Sequence, residues 1–463
     1  MAFDYIVVGA GSAGCVLAAR LTEDPGTRVL LLEAGPPDSK AEIHIPLAFG
    51  DLFRTEVDWF YKTAPEPALG GRRIFWPRGR TLGGSSSINA MIYMRGHRAD
   101  YDGWEKLGNE GWSYEEVLPY FKRSERNQRF GGEFHGTDGP LNVMDLPYVN
   151  PMTRAFVKAG VETGLEVNED FNGARQEGVG VVQTTQKGGR RWSAADAFLR
   201  PALKRPNLVV RTGVLATRVL LEDGRAAGVE WREGVTLQTE RASKEVILSG
   251  GAINSPQLLM LSGIGPAAHL KEVGIDVAVD LPGVGQNLQD HLACAYFFRA
   301  TKPVSLVNGR KRSELIRYLL THRGLLTSVA AEGNAFLKSD PALEAPDIQL
   351  AFGPLLYDPE QELPADLHGF SLGFFLLQPK SRGSITLESR YPDQHPRIEA
   401  CYLTDPGGED LRVSLWALDL IKRICYSKSM DEFRGERLEP QDGVSHLEHL
   451  RNRVNTIYHP VGS

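Results

Sequence analysis

Asp4-Tyr-Ile-Val-Val-Gly9-Ala-Gly11-Ser-Ala-Gly14 is a short apolar run that breaks at three glycines spaced G-x-G-x-x-G. The run suits a buried parallel strand. A helical pattern follows, with Val16, Leu17, Ala18 and Leu21, and a second apolar run, Arg28-Val-Leu-Leu-Leu32, ends in Glu33-Ala34-Gly35. Together these segments predict a βαβ unit. Its glycines serve the tight turn, the approach of a pyrophosphate past Ser12 and Ala13, and close helix–strand packing at Gly14. Unpaired N–H groups and the helix dipole favour an anion at that helix start. Glu33 lies 19 positions after Gly14, where a carboxylate accepts hydrogen bonds from ribose hydroxyls and repels a 2′-phosphate. The pattern predicts a dinucleotide site and does not separate NAD from FAD.

A second glycine-rich stretch, Arg80-Thr-Leu82-Gly83-Gly84-Ser-Ser86-Ser-Ile-Asn89, organises the rest of the chain. Adjacent glycines let backbone approach something flat and closely held, and the serines and Asn89 offer donors and acceptors at short range. Such a turn suits a cofactor ring system; by itself it is also compatible with a surface loop. Residues 36–78 are loop-rich, with Trp59 and Trp76, and read as a surface excursion or as an arm lying over the cofactor. Further on, Glu245-Val-Ile-Leu-Ser249 predicts a buried strand running into Gly250-Gly251-Ala252, a second place where backbone approaches a cofactor. Ser255 and Pro256 then read as the cap and first residue of a helix.

At 463 residues the chain exceeds one ordinary core, so two domains are expected. A hydrophobic content of 42% and a charged content of 24% fit a globular enzyme. The net charge of −6, with no long basic run, argues against a nucleic-acid partner. The four cysteines show no metal-ligand spacing and read as reduced thiols, and no zinc-type histidine spacing occurs, so no metal is expected. The N-terminus carries no signal-peptide pattern and the longest apolar run is too short to span a bilayer. These features predict a cytoplasmic protein, with peripheral membrane contact left open.

Ser113-Tyr-Glu-Glu116 is a capping box, and Pro119 is expected to kink or shorten the helix it opens. Residues 127–140 read as a loop. Helices are predicted over 152–164 and 192–203, and strands over 207–211, 215–221 and 228–231, with a hairpin turn at Glu222-Asp-Gly-Arg225. Strands over 347–352, 370–377 and 385–387 suit a mostly antiparallel sheet. A helix from Glu409 places Leu411, Leu415, Leu418 and Ile421 on one face, and another carries Val444, Leu447, Leu450 and Val454. His291, in Gln-Asp-His, reads as closing a structural turn.

Three stretches resemble the glucose–methanol–choline (GMC) family of flavin oxidoreductases. Gly79-Arg-x-Leu-Gly-Gly-Ser-Ser-x-Ile-Asn89, with Tyr93 and Gly96 beyond it, is similar to the family's first signature. Gly251-Ala-x-x-Ser-Pro-x-Leu-Leu-x-x-Ser-Gly-Ile-Gly265 is similar to its second, and Tyr458-His459-Pro460 to its catalytic histidine segment. With the N-terminal βαβ the resemblance spans essentially the whole chain, in the family's order. It implies an α/β fold: a doubly wound, Rossmann-like FAD domain with an interleaved α+β substrate domain on a mostly antiparallel sheet. The implied boundaries are 1–150 and 191–290 for the FAD domain, 151–190 and 291–455 for the substrate domain, and 456–463 for a return to the FAD domain.

The resemblance further implies that Gly9, Gly11, Ser12, Ala13, Gly14, Glu33 and Ala34 hold the ADP part of FAD, with Val214 on the adenine side and Gly250 and Ala252 near the ADP. Trp59, Leu82, Gly83, Gly84, Ser86, Asn89, Ala90 and Met91 complete the implied cofactor set, the last several toward the flavin. Some relatives link flavin to a histidine just before the motif's asparagine; Ile88 stands here, which implies dissociable, non-covalent FAD. His459 is implied as the base that takes the alcohol proton while hydride leaves for flavin N5, a task suited to an imidazole with an unperturbed pKa of about 6.5. Glu332, in Ala331-Glu-Gly-Asn-Ala-Phe336, resembles a glutamate that choline-oxidising relatives hold against a trimethylammonium group. It reads equally as a structural carboxylate.

The likeness is nearest to choline dehydrogenases and to dehydrogenases of medium-chain aliphatic alcohols, with a quinone or other electron acceptor as partner. An oxygen-using oxidase is the near alternative. The scaffold also hosts a cyanohydrin lyase and a light-driven fatty-acid decarboxylase, the latter disfavoured by His459 in its dehydrogenase-like setting. The family pattern continues beyond the His-Pro segment, so a truncated chain lacking a partner for His459, or an inactive flavin-binding fragment, is a further expectation.

Overall fold

The computed structural model describes residues 3–357, 364 and 366–463. The opening stretch folds as read: β1 (Phe3–Val8), α1 (Ser12–Leu21) and β2 (Val29–Glu33) form a βαβ unit, with Val7 opposite Leu31 in a parallel ladder. The buried face of α1 is Gly14, Cys15, Ala18 and Ala19, small residues that let the helix lie close on the sheet. The capping box opens α2 (Tyr114–Ser124), which continues five residues past Pro119. Beyond it come α3 (Pro151–Glu162), capped by the Asn150 side chain, and β3 (Gly178–Val181).

Residues 195–199 form a π-helical turn that runs into Arg200–Ala202, so the helix expected from Trp192 is shorter and wider than an α-helix. Four strands then complete the first sheet: β4 (Leu208–Thr212), β5 (Val214–Glu222), β6 (Arg225–Glu233) and β7 (Thr236–Leu248). The order is β4-β2-β1-β7-β6-β5. The first four are parallel; β7, β6 and β5 pair antiparallel. The strand expected at 245–249 is therefore the end of a much longer one, and it is not fully buried. Its first half projects as a hairpin ribbon with β6, and its last three residues, Val246, Ile247 and Leu248, are only part-covered.

Helix α4 (Gly251–Leu261) starts five residues before Pro256, which lies inside it. Proline has no N–H for the carbonyl four residues back. That carbonyl belongs to Ala252, and the Ser463 hydroxyl donates to it instead, tying the last residue of the chain to the helix start.

The second sheet is antiparallel and seven-stranded. It comprises β3 with β8 (Leu292–Ala300), β9 (Gly333–Leu337), β10 (Ile348–Gly353), β11 (Gly369–Leu376), β12 (Arg434–Glu439) and β13 (Asn455–Thr456), in the order β12-β8-β11-β10-β9-β3 with β13 beside β8. Helices α5 (Arg312–Thr321), α6 (Glu409–Cys425) and α7 (His446–Arg453) belong to this half. The largest apolar cluster fills it: Phe156 of α3 stacks on Phe352 of β10 at 5.0 Å, and Phe298 on Phe370 at 5.2 Å. The buried face of α6 is centred on Val413, Ala417, Leu420, Ile421 and Ile424; Leu411 and Leu415 sit at its half-covered edge, rotated from the expected stripe. This is an α/β fold with a mixed first sheet and an antiparallel second one.

The 127–140 loop is pinned from beneath. Arg95 pairs with buried Glu125 at 2.7 Å, Glu125 with His135 at 3.0 Å, and His135 with Asp170 at 2.9 Å. Those two carboxylates outweigh the desolvation of His135 and raise its pKa to about 9. All four cysteines are free thiols. Among the described residues no helix is long and apolar enough to cross a membrane, and no group of three or more His, Cys, Asp or Glu could hold a metal.

Candidate active site

Two glycine loops from distant parts of the chain meet at the end of the first sheet. A Cβ on Gly84 would lie 2.7 Å from Gly11 Cα, and one on Gly35 would lie 1.9 Å from Arg80 O. Neither position has room for a side chain, so backbone packs directly on backbone. Gly14 likewise lies against the carbonyl of Gly9. Beside this contact opens a cavity of about 730 Å³. Gly14 does not line it; Gly9, Gly11, Ser12, Ala13, Glu33, Ala34, Trp59, Gly84, Val214, Gly250 and Ala252 do. So do Asp58, Tyr61, Arg78 and Arg80, which makes the 36–78 segment an arm over the cavity.

Leu82, Gly83 and Ser86 do not line it. Ser86 instead holds the loop's shape: its hydroxyl donates to Gly83 O at 2.6 Å and accepts from Ala194 N at 3.0 Å. Glu33 does more than face the cavity. Its two oxygens accept the N–H groups of Ala10 and Gly35, each at 2.8 Å, and burial raises its pKa to about 7.

The cavity fits a dinucleotide on its own evidence. Its volume lies in the range of cofactor sites, about 300–1,000 Å³. Two buried polar atoms on its wall, Arg80 Nε and Ser249 Oγ, have no partner among the described residues. Arg80 stands over the Trp59 ring at 5.1 Å. A cationic donor and a hydroxyl awaiting acceptors suit a diphosphate.

A second cavity, of about 490 Å³, adjoins the first, with Arg78 and Ser85 in both walls. Asn89, Ala90 and Met91 line this one, not the first, together with Phe49, Phe53, Phe297, Phe375 and Tyr357. Asn89 is aimed by Arg191, a fully buried guanidinium that donates to Asn89 Oδ1 at 2.7 Å and to the carbonyls of Ser86 and Ile43.

His459 projects into the second cavity while Pro460 lines the first. The turn that carries it is held from three sides. Arg78 donates to Tyr458 O at 2.6 Å and to Ser85 Oγ at 2.8 Å. The His459 N–H donates to Asp290 at 2.9 Å, and Tyr402 and Thr456 hydroxyls donate to the other Asp290 oxygen. Tyr458 adopts a left-handed φ of 70°, a strained conformation that these bonds maintain. His459 is solvent-exposed in the wall of the second cavity. The surrounding cavity wall, then the nearby His291 and Arg78, lowers its pKa, so the imidazole is neutral at pH 7.

His291 faces His459, with ring centroids 5.4 Å apart and Nδ1 atoms 3.4 Å apart. His291, expected to close a turn, lines neither cavity but stands behind His459, and burial lowers its pKa to about 4. Asp290, Arg78 and Arg191 likewise enter only with the structure. The Gln289-Asp-His triplet and the closely spaced Arg78 and Arg80 are the sequence signals that mark them.

Glu332 is a correction. It is fully buried, accepts from Asn150 N at 2.8 Å, Thr153 Oγ at 2.6 Å and the Ser328 hydroxyl, and lines neither cavity. It anchors the start of α3. The lining carboxylate of the second cavity is Glu439, paired with Arg453 at 2.5 Å.

The sequence profile of the GMC oxidoreductases matches residues 3–293 and 379–463. The chain is 46% identical over 474 residues to an alcohol dehydrogenase [acceptor] of Pseudomonas putida, covering 100% of this chain and 86% of that protein. It is 44% identical over 475 residues to an oxygen-dependent choline dehydrogenase of Sinorhizobium fredii, covering 100% and 85%. Among solved structures, pyridoxine 4-oxidase from Mesorbium loti superposes with a TM-score of 0.89 at 33% identity, over 99% of this chain and 88% of that one. An Aspergillus oryzae formate oxidase, studied for its FAD modification, gives 0.92 at 26% identity over 99% and 88%.

Proposed function

The chain belongs to the GMC oxidoreductases, and from that premise we propose that it oxidises a neutral medium-chain aliphatic primary alcohol to the aldehyde, with electrons passing to a quinone or similar acceptor. It is an FAD-dependent oxidoreductase acting on CH–OH groups. In this reading Gly9, Gly11, Ser12, Ala13, Glu33 and Ala34 hold the ADP half of FAD, and Gly14 lets α1 pack against the Gly9 turn beneath them. Arg80 and Ser249 meet the diphosphate, and Gly84 and Ser85 border the flavin. Bound FAD supplies the hydride acceptor. Ile88 offers no nucleophile, so the cofactor is dissociable.

The proton is the task of His459. Its Nδ1 lies 3.4 Å from His291 Nδ1, and the neutral ring takes the alcohol proton on its unprotonated nitrogen. Arg78 and Asp290 hold the turn so that the ring keeps its aim. Because His459 is neutral at working pH, no prior deprotonation is needed.

One observation carries the choice of substrate. The cavity beside His459 is walled by aromatic and aliphatic side chains, its carboxylate Glu439 is already paired, and Glu332 is sealed away. A quaternary ammonium would find aromatic faces but no unpaired carboxylate, whereas an alkyl chain finds matching surface throughout. Turnover of 1-octanol and of choline with an artificial dye tests this. The expected result is a kcat/KM for octanol at least about tenfold above that for choline; the reverse order would defeat the proposal. Equal rates with air and dye would move the acceptor to oxygen, and absence of turnover from FAD-loaded protein would favour an inactive flavin-binding fragment.

A further inference from the structure

Helix α5 is anchored along one face only. Tyr318 is buried there, and its hydroxyl lies 3.1 Å from His44 O and 3.2 Å from Gly189 O. Opposite it, Leu315, Ile316, Leu319 and Leu320 stand at i, i+1, i+4 and i+5, which places them on one side of the helix. They are 42%, 57%, 61% and 80% exposed. Single exposed leucines are ordinary, but four large aliphatic side chains on one helical face form a patch that demands a partner.

Along this segment the charge is one-sided. Arg310, Lys311, Arg312, Arg317 and Arg323 are all exposed around this helix. Glu314 is the sole acidic residue between 306 and 325, and it lies 3.7 Å from Arg317. This basic collar sits on a chain whose net charge is −6.

We propose that this face of α5 docks on an anionic lipid bilayer. Leu315, Ile316, Leu319 and Leu320 enter the boundary between headgroups and acyl chains, while the arginines and Lys311 meet the lipid phosphates. The charge pattern selects this occupant over a second copy of the chain, because two copies joined through α5 would press like-charged collars together. The docked face also adjoins the apolar cavity. Leu47 packs against Gly309 just before α5, and Phe49, two residues on, lines that cavity; Ala330 and Ala331 line it from the other end of the segment.

Vesicle flotation tests the proposal with the FAD-loaded chain. The probes are vesicles of phosphatidylglycerol and phosphatidylcholine in equal parts, and vesicles of phosphatidylcholine alone. The chain is expected to float with the first and not the second, and to be released by high salt, where the Debye length contracts to about 3 Å. Leu319→Ser with Leu320→Ser should weaken binding about tenfold or more. Arg312→Glu with Arg317→Glu should weaken it independently, with both variants keeping the parent melting temperature and flavin content. Failure of the parent to float, equal binding to both vesicles, or unchanged binding by the leucine variant overturns the proposal. So does a dimer in sedimentation that the leucine variant dissolves.

Discussion

Gly84 lies directly on Gly11: a Cβ on the former would fall 2.7 Å from the Cα of the latter. The phosphate-type loop and the flavin-type loop are thus one packed unit, and the position of either depends on the other. Gly84 also has φ +52°, which disfavours any side chain. Gly84→Ala should therefore destabilise the protein by about 1–3 kcal/mol through overpacking and strain. It should also lower the flavin-to-protein ratio of purified material. A thermal melt and an absorbance ratio check both; parent-like values in both would show that the loops can separate without consequence.

His459→Ala should cut alcohol-dependent flavin reduction by about 10²–10⁴-fold, the usual contribution of a positioned acid–base group. Flavin content should stay near the parent value, because the ring faces the second cavity while the dinucleotide-lining residues lie in the first. Stopped-flow reduction with the flavin-to-protein ratio alongside separates the two effects. Loss of flavin would assign the Tyr458-His459-Pro460 turn to cofactor binding.

The pH dependence should follow Asp290. Burial raises its pKa to about 6, above the unfolded carboxyl value of 3.8. Its ionised form accepts from His459 N–H, Tyr402 and Thr456; protonation turns one acceptor into a donor and loosens the turn. Flavin reduction should rise as pH increases through about 6, with no limb from His459, which is already neutral there. Asp290→Asn should be slow and lack that limb. Stability runs the other way. A carboxyl raised on folding contributes fully below the unfolded value and loses its contribution as pH rises through the folded one. The parent Tm should accordingly fall more steeply than that of Asp290→Asn between pH 4 and 6, measured by calorimetry.

Glu332→Ala removes the acceptor of three buried donors and should cost about 1–3 kcal/mol or more of stability. The KM for alcohol should be unchanged at temperatures where the variant is folded. A raised KM with parent-like stability would return Glu332 to the substrate site.

Local chemistry made much of this protein legible in its sequence. A glycine that must take a left-handed turn or admit a neighbour's backbone cannot be replaced cheaply, so Gly9, Gly14 and the Gly83-Gly84 pair announce their loops. Period-two and period-3.6 apolar patterns located the strands of the first sheet and the longer helices other than α5, but not Leu292–Ala300 of the second sheet. The misreadings came where the pattern was shared between two causes. Pro256 looks like a helix start, yet lies within one, because Ser463 supplies the donor its ring removes. Leu411 and Leu415 belong to the apolar stripe of α6 but face its edge, because the neighbouring sheet decides which side is covered.

What no reading of neighbours along the chain supplies is the pairing of His459 with His291, 168 positions apart, and the sealing of Glu332 behind Asn150, Thr153 and Ser328. The sequence determined which groups are present and which backbone turns are possible. The tertiary fold decided which of two equally plausible residues reaches the cavity, because burial and hydrogen bonding depend on what other segments bring to the same few ångströms.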